Sequence, residues 1–507
     1  MARARLGPAA AIIDPRLGVA ACEENRLTRA RQAPTSGPPA LAIAELLSYL
    51  GQTESSIETV GVVRDPEQPD WYQGSGGAIE IDAHRAHAEY AFRASGFDSA
   101  LVVVCDATTA QGYSAWNYQG AQVRSQDSVG DFPIAEVYSA MTEALGLRAA
   151  RDEHLVEAMA RAGRAEGPAA ERIEITPQGM STARDFKQAI ADACHASGDR
   201  DAASRDVAAA VQRKLGTCLT ELLSRLARAS GARRLCLSGG LFFNTHFTTT
   251  AAHSADFDEA FVPAHPGRSG SAIGAALGAM AGGLPGQSQG APEAIGSAYL
   301  GPGYSAAEVK EALDNCKLVY DLQREEQVID TVLQAMSHGR LAGWFHGRLE
   351  WGPRALGHRT VLADPFATHV LENLNGYLKK RPSYRSYGIS VPLAKLHDLF
   401  EIPPQASRDR SASPFMQYEY RPRDLDRFRT ILPTGVETLR VHTVDDSEPL
   451  YLRLLERWGE MSGVPALVNT SFNGFHEPLV CSPRDAVRVF YGTGLDMLAI
   501  EGFILRK

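Results

Sequence analysis

Arg348, Arg354 and Arg359 fall within one stretch, FHGRLEWGPRALGHRTVLADP, where they are spaced among three glycines and two prolines. A buried strand does not carry so many ionisable groups, so the stretch reads as a loop able to receive an anion. Three further segments of the C-terminal half share this character. LKKRPSYRSYGISV supplies Lys379, Lys380, Arg381 and Arg385, TLRVHT supplies Arg440, and VNTSFNGFHEP supplies Asn469, Ser471 and Asn473. An arginine fork donates two parallel hydrogen bonds to a phosphate, and a lysine adds a movable point charge. Asn and Ser side chains add neutral donors. Phosphoryl and acyl-phosphate chemistry asks for such a set, because positioning and charge neutralisation carry most of its catalysis. For any single arginine here, an ordinary solvated or capping position is the competing reading. Recurrence in four segments is what argues for a site.

The N-terminal half offers a different kind of group. LSGGLFFN places Gly239, Gly240 and Asn244 after an apolar run, and GRSGSAIGAALGA sets Gly270 and Gly274 at the start of a small-residue helix. Backbone N–H groups at such turns suit nucleotide phosphates, so Gly239, Gly240, Asn244 and Gly270 are expected to bind the cofactor. His84 and His87 in DAHRAHAEYAF are either hydrogen-bonded histidines near a strand end or groups that move a proton.

The elements that must hold these residues follow from periodicity. AAAIIDPRLGVAACEE reads as a hairpin, and ALVVVCDA and RRLCLSGG read as short buried strands. Val211, Leu215, Leu219, Leu222 and Leu226 recur at helical spacing, with Gly231 placed as a C-cap. In the second half RLAGWF, LRVHTV, PALVN and MLAIEGFIL read as strands. Ser482, Pro483 and Asp485 mark a helix start and Gly492 its end. The alternation predicts an α/β protein. AGGLPGQSQGAPEAIG, 281–296, is rich in Gly, Pro and Ser and predicts the boundary between a domain over 1–290 and another over 296–507.

Bulk properties narrow the function classes. The 507 residues carry 51 basic and 60 acidic groups, a net charge of −9, with no cationic block, which excludes a general nucleic-acid footprint. The partner is therefore expected to be a small molecule. Seven scattered cysteines, never in Cys-x-x-Cys, read as reduced thiols, with neither a disulfide framework nor a zinc site. No apolar run approaches the length of a membrane helix, and the short apolar run ending at Asp14 makes a poor signal peptide. A cytoplasmic protein with no membrane contact is expected.

GRLEWGPRALGHRTVLADP, LKKRPSYRSYGISV and NTSFNGFHEPLVCSPRDAVRVF resemble the carbamoyltransferase family that decorates nodulation factors and antibiotics, including the cephalosporin and tobramycin enzymes. ENRLTRAR, HRAHAEYAF, LCLSGGLFFNT and GSAIGAALGA extend the resemblance over nearly the whole chain. It implies an N-terminal domain of the actin/Hsp70-like (ASKHA) type and a C-terminal YrdC-like α/β domain. The C-terminal domain would use carbamoyl phosphate and ATP with Mg²⁺ to make carbamoyl-adenylate. The N-terminal domain would pass the carbamoyl group to a hydroxyl or amine of a small-molecule acceptor, and a homodimer is an open assembly. Carried over, the family's carbamoyl-phosphate and adenylation residues fall on Arg354, Lys379, Arg385, Arg440, Asn469 and Ser471, with Arg348 and Asn473 as further substrate contacts.

The match has gaps. Where relatives carry His-Val-Asp-Gly-Thr-Ala-Arg this chain has TGVETLR, which keeps Thr438 and Arg440 only. Relatives also hold a divalent transition metal, iron, in the N-terminal domain through about four ligands. His87 and Asp106 match that set, but Ala83 stands at the first histidine position. Arg268 and Ser269 stand where a late carboxylate is expected, and Arg268 is a candidate to supply the missing positive charge. Three readings stay open: a carbamoyltransferase in which His84 or His87 acts as general base, a chain whose N-terminal domain has become a scaffold, and a ligase redirected to another carboxylate.

Overall fold

The computed structural model describes residues 8–14, 16–30, 38–63, 78–107, 112–165, 167–281, 293–403 and 411–507. Most of the expected linker, 282–292, lies outside the described residues. The chain divides into two compact units, and the main break falls between Ser297 and Ala298. The second unit also takes in Cys22–Ala33 and Ala44–Tyr49, a feature the linker composition does not announce.

Strands β1 (Ala9–Asp14) and β2 (Gly18–Glu23) form the expected hairpin, and the last two residues of β2 are counted with the second unit. Asp14 closes its turn by accepting the N–H groups of Arg16 and Leu17 at 2.7 and 2.9 Å. The main sheet has five strands: β3 (Ser99–Val104), β4 (Ser114–Gln119), β5 (Gln122–Ser125), β6 (Arg234–Ser238) and β7 (Glu259–Phe261), in the order β7-β6-β3-β4-β5. β3, β6 and β7 run parallel, so their C-terminal ends share one edge. That edge is where ligands bind in open α/β sheets.

Helix α1 (Ala83–Ser95) is capped by Asp82, which accepts the N–H of Arg85, and it carries both histidines. Helix α2 (Arg200–Ser230) buries the predicted row of Val211, Leu215, Leu219, Leu222 and Leu226. It starts earlier than its apolar row because Asp199 caps it, and it ends on Gly231 in the left-handed conformation. Helix α3 (Ser271–Met280) packs on α1 so closely that a Cβ on Gly274 would lie 1.8 Å from the Ala86 carbonyl oxygen.

The second unit is built on a ten-stranded sheet. Its central strands are β8 (Ala342–Phe345), β9 (Arg359–Ala363), β10 (Gly388–Pro392), β11 (Leu439–Val444), β12 (Leu467–Ser471) and β13 (Met497–Ile500). They lie in the order β13-β8-β9-β12-β10-β11. β8 is parallel to β13 and antiparallel to β9, β12 is antiparallel to β9 and β10, and β10 is parallel to β11. The C-terminal ends of β8, β12 and β13 and the starts of β9, β10 and β11 therefore share one end of the sheet.

Helices α4 (Glu325–Ser337) and α5 (Pro449–Ser462) cover one face with a core that includes Val332, Trp344, Leu362, Leu455 and Trp458. Helix α6 (Pro483–Gly492) starts at the predicted cap: Ser482 and Asp485 exchange side-chain to backbone bonds around Pro483.

Candidate active site

The strand directions decide what the cationic segments share. The loop 346–358 joins β8 to β9, the segment 379–387 precedes β10, residues 434–438 precede β11, and the loop after Ser471 leaves β12. All four open at the same end of the sheet. Register ties them further, because Gly388 faces Arg440 on one side and Asn469 on the other, while Ser471 faces Thr360.

The cations in this region feel one another. Burial pushes the Lys379 ammonium well below its ordinary range, and the charge of Arg381 pushes it further. Burial also lowers Arg381, partly offset by the Tyr387 phenol, and Arg440 lowers it again. Arg381 lies over the Tyr387 ring at 4.0 Å and donates to Asn375 at 2.8 Å, and Arg385 acts on the same phenol. Arg381, Arg385 and Arg440 thus concentrate positive charge at one end of the sheet, beside the buried Lys379. Such a field favours an anionic ligand.

Several of these residues build this end of the sheet. Lys379 is buried and donates to the carbonyl oxygens of Ser471 and Asn473 and, at 2.6 Å, to the Asn473 side chain. It therefore clamps the loop after β12 before it can act on a substrate. Ser471 donates to Asn473 Oδ1 at 2.9 Å, and Asn473 donates to the Glu477 carbonyl. Asn469 is buried beneath this end. Its amide oxygen takes the Thr360 hydroxyl, and its Nδ2 donates to Ser390, which pairs with His442 Nδ1 at 2.9 Å.

Arg348 differs from the expectation of a substrate contact. Its guanidinium donates to the carbonyls of Gly301 and Leu300 at 2.9 and 2.7 Å, because the loop leaves those acceptors beside it. Arg359 is fully buried over the Phe345 ring and donates to the carbonyls of His346 and Gly347. Of the three arginines in the opening stretch, two hold the loop together, and Arg354 sits half-buried within the same loop. Arg385, Arg440 and Ser471 are likewise half-buried.

Sequence reasoning missed the residues that organise this loop. Glu350 is buried, and one of its oxygens accepts the N–H groups of Leu356, His358 and Arg359 at 2.8–2.9 Å. Arg26 is buried too. It forks onto Glu23 at 3.1 and 2.8 Å and donates to the Gly352 carbonyl at 2.7 Å, two residues from Arg354. Arg29 donates to the Pro478 and Leu479 carbonyls and pairs with Asp485 at 3.3 Å. The dense arginines of ENRLTRAR were the available signal, although nothing in their spacing says where they dock.

In the first unit, Asp106 and Gly239–Gly240 follow β3 and β6, and His265 to Arg268 follow β7, so all gather at the C-terminal edge of the parallel strands. Gly239 has φ +104°, and a Cβ there would lie 2.1 Å from the Cys105 carbonyl oxygen, so only glycine fits. The expected phosphate donors are already engaged, however. The Gly239 N–H goes to the Pro266 carbonyl, that of Gly240 to Asp106 Oδ2 at 3.1 Å, and that of Gly270 to the Gly267 carbonyl. Asn244 is a buried helix cap that accepts the His246 N–H and donates to Tyr138 and Gln212. The tight turns use these donors to close themselves.

His87 is buried, and its Nδ1 pairs with the Ser238 hydroxyl at 3.2 Å. Burial lowers its pKa to about 4 despite the Asp106 carboxylate. Burial also lowers His84, whose Nδ1 pairs with Ser114 at 2.8 Å and whose Nε2 has no hydrogen-bond partner among the described residues. Arg268 lies 3.9 Å from Asp106 Oδ1. A further acid went unread in the sequence: Glu136 is lifted to about 7, chiefly by burial and then by the charges of Asp106 and Asp131. Among the described residues no group of three or more His, Cys, Asp or Glu side chains is arranged to hold a metal ion. The donor set fits a transition metal poorly, since a guanidinium faces the one carboxylate and a backbone N–H occupies its other oxygen.

Residues 78–277 match the carbamoyltransferase N-terminus family, and residues 333–507 match the carbamoyltransferase C-terminus family. The chain belongs to the carbamoyltransferase family. It is 33% identical over 307 residues to nodulation protein NolO of Bradyrhizobium diazoefficiens, covering 60% of this chain and 55% of that protein. It is 30% identical over 275 residues to the 3'-hydroxymethylcephem-O-carbamoyltransferase of Amycolatopsis lactamdurans, covering 52% and 47%. An uncharacterised protein of Synechocystis, sll1178, matches at 29% identity over 84% of this chain and 75% of its own length. This carbamoyltransferase-family chain thus aligns with about half the length of the nodulation and cephem proteins. Component A of the Acidaminococcus fermentans (R)-2-hydroxyglutaryl-CoA dehydratase overlays 54% of the chain and 92% of its own at 14% identity and TM-score 0.35, a likeness too loose to carry an argument. Among the described residues no helix is long and apolar enough to cross a membrane, and all seven cysteines are free thiols.

Proposed function

We propose that the protein is an ATP-dependent carbamoyltransferase that modifies a hydroxyl or amine of a small natural-product acceptor. The observation that carries this reading is the gathering of Lys379, Arg381, Arg385 and Arg440 at one end of the sheet in the second unit. Carbamoyl phosphate bound there loses phosphate to water and leaves carbamate. A carbamate oxygen then attacks the α-phosphorus of Mg²⁺-bound ATP, pyrophosphate departs, and carbamoyl-adenylate forms. The cations neutralise the charge that develops on the equatorial oxygens, and Arg354 in the adjoining loop adds a further fork. The acceptor oxygen or nitrogen attacks the carbamoyl carbon, AMP leaves, and a base takes the acceptor proton.

For that last proton the first unit offers His84. Ser114 fixes its Nδ1, burial keeps the ring neutral, and Nε2 is left to accept. The family's metal does not fit the residues of this unit, and no step is assigned to it. Arg268 beside Asp106 provides the fixed positive charge there instead. The engaged N–H groups of Gly239, Gly240 and Gly270 favour a second reading, in which the first unit binds no nucleotide and only adenylation remains.

One incubation separates the two. The protein with ATP, Mg²⁺ and carbamoyl phosphate should release phosphate and pyrophosphate without any acceptor, and a panel of hydroxyl and amine acceptors should gain one carbamoyl group by mass. Pyrophosphate with no acceptor product across the panel favours the second reading. No carbamoyl-phosphate-dependent pyrophosphate refutes the adenylation proposed here.

A further inference from the structure

Register brings a histidine and a carboxylate side by side at the end of the second unit's sheet. β8 and β13 run parallel with Phe345 facing Ile500, so the next residue of each strand, His346 and Glu501, leave the sheet together. Glu501 Oε2 lies 3.0 Å from His346 Nδ1, and Glu501 Oε1 accepts the Gly347 N–H at 2.9 Å. Burial works to raise the Glu501 carboxyl, but the His346 ring, the Gly347 N–H and the Arg359 charge together hold it below its ordinary range. A carboxylate only accepts, so the ring proton sits on Nδ1 and Nε2 is left as an acceptor. Nε2 has no hydrogen-bond partner among the described residues, and the His346 side chain is 33% exposed. The frame around the pair is fixed. The His346 N–H donates to the His358 carbonyl at 2.9 Å, the His346 carbonyl accepts Arg359 at 2.7 Å, and the Glu501 N–H donates to the Phe345 carbonyl at 2.9 Å. Glu501 is held in the left-handed conformation at φ 49°. A non-glycine residue costs energy there, and such strain gathers at functional sites.

The pair stands where the proposed reaction lacks a proton acceptor. His346 opens the loop that carries Arg354, at the sheet end shared with Arg385, Arg440 and Ser471. Loss of phosphate from carbamoyl phosphate to water needs a group that takes the proton of the water, and arginines only donate. The other histidines at this end are committed or unheld. His358 spends both nitrogens, on the Arg348 carbonyl at 2.6 Å and on Glu448 at 2.8 Å, and packs edge-on against the His346 ring at 5.8 Å. His442 is buried with its Nδ1 on Ser390. His476 is exposed, touches the Phe475 ring and has no hydrogen-bond partner among the described residues to orient it. We infer that His346, oriented by Glu501, is the general base for the attack of water on carbamoyl phosphate. Nε2 takes a proton from the water as the water oxygen bonds to the carbamoyl carbon. The bond from that carbon to the bridging oxygen breaks, and phosphate leaves with the electron pair and receives the proton from Nε2. The carbamic acid gives its remaining acidic proton to solvent. The inference deepens the carbamoyltransferase reading and rests on it.

Phosphate release from carbamoyl phosphate, with ATP and Mg²⁺ present, is followed against pH on the full chain, His346→Gln and Glu501→Gln, and carbamoyl-phosphate affinity is measured by calorimetry. His346→Gln should lower kcat by about a hundredfold or more and flatten the acid limb of its pH profile, with affinity kept within about threefold. Glu501→Gln keeps an acceptor for the Gly347 N–H but turns an N–H toward Nδ1, which places the ring proton on Nε2. Its kcat should fall about tenfold or more at parent-like affinity. Both side chains reach the surface and the backbone bonds of the frame stay, so both variants should fold, and an unchanged unfolding curve verifies it. Parent-like kcat or an unchanged acid limb in His346→Gln overturns the base and leaves the carbamoyltransferase reading standing. A fall in affinity that matches the fall in kcat also overturns it, because the ring would then be a binding or structural group. A parent chain that releases neither phosphate nor pyrophosphate overturns the reading and the base together.

Discussion

Arg26 is the most informative single side chain to remove, because it lies far in sequence from the loop it holds. Its guanidinium makes two bonds to Glu23 and one to the Gly352 carbonyl, and both charged side chains are about 5% exposed or less. Arg26→Met keeps most of the volume but leaves the Glu23 carboxylate in an apolar setting without its guanidinium, beside Cys22. Breaking one side of a buried pair costs about 3–5 kcal/mol. For a unit of roughly two hundred residues that is a fall of about 6–20 °C in Tm. Trp344, Trp351 and Trp458 belong to this unit, so urea unfolding followed by tryptophan fluorescence reads the loss. The second arm is Arg26→Met combined with Glu23→Gln, which removes the stranded charge and should recover more than half of the lost stability. Carbamoyl-phosphate-dependent pyrophosphate release should fall in the single variant, since Gly352 supports the loop bearing Arg354. If the single variant costs less than about 1 kcal/mol, or the double variant is no better, the argument from burial and pairing is wrong.

Three further outcomes are expected. Gly274→Ala needs α1 and α3 to separate by 1.6 Å, from 1.8 Å to an ordinary 3.4 Å, and should cost about 1–3 kcal/mol or more by chemical denaturation; a neutral result would mean the helix contact is looser than described. Burial holds His442 near a pKa of about 3, against 6.5 when unfolded, so the unfolded chain binds the proton first and stability is lost as the pH falls below 6.5. His442→Gln should flatten that acid limb, and an unchanged limb would assign the pH dependence elsewhere. Arg268→Glu replaces the guanidinium facing Asp106 by a carboxylate near His87, so a Co²⁺ titration followed by visible absorbance should show binding that the parent lacks. Tight Co²⁺ binding by the parent would contradict the charge-replacement argument.

What could be read in advance is the chemistry that acts over a few residues. Ser482, Pro483 and Asp485 announced their helix because a capping box is closed within four residues, and the Val211 to Leu226 row needed only helical periodicity. The four cation- and amide-rich segments were also legible as a set, since residue type alone marks them. Which arginines hold the loop together was not legible. Arg348 and Arg359 take the carbonyls that loop closure around Glu350 brings beside them. The partners of Gly239, Gly240 and Asn244 were not legible for a related reason. A glycine turn after a strand looks the same in sequence whether its N–H groups point at a phosphate or close the turn, and here Pro266 and Asp106 take them. The docking of Arg26 and Arg29 depends on partners more than 300 residues away, and no local pattern encodes such a partner.

The central claim is that segments distant in sequence meet at one end of the sheet to hold an acyl phosphate. The most direct measurement is the affinity for carbamoyl phosphate, by calorimetry in the absence of ATP, of the parent chain and of Arg385→Ala, Arg440→Ala and Arg348→Ala. Arg385→Ala and Arg440→Ala should each weaken binding about tenfold or more, as expected for a lost charge-assisted contact, while Arg348→Ala should weaken it far less. Parent-like affinity in both of the first two variants would contradict the claim.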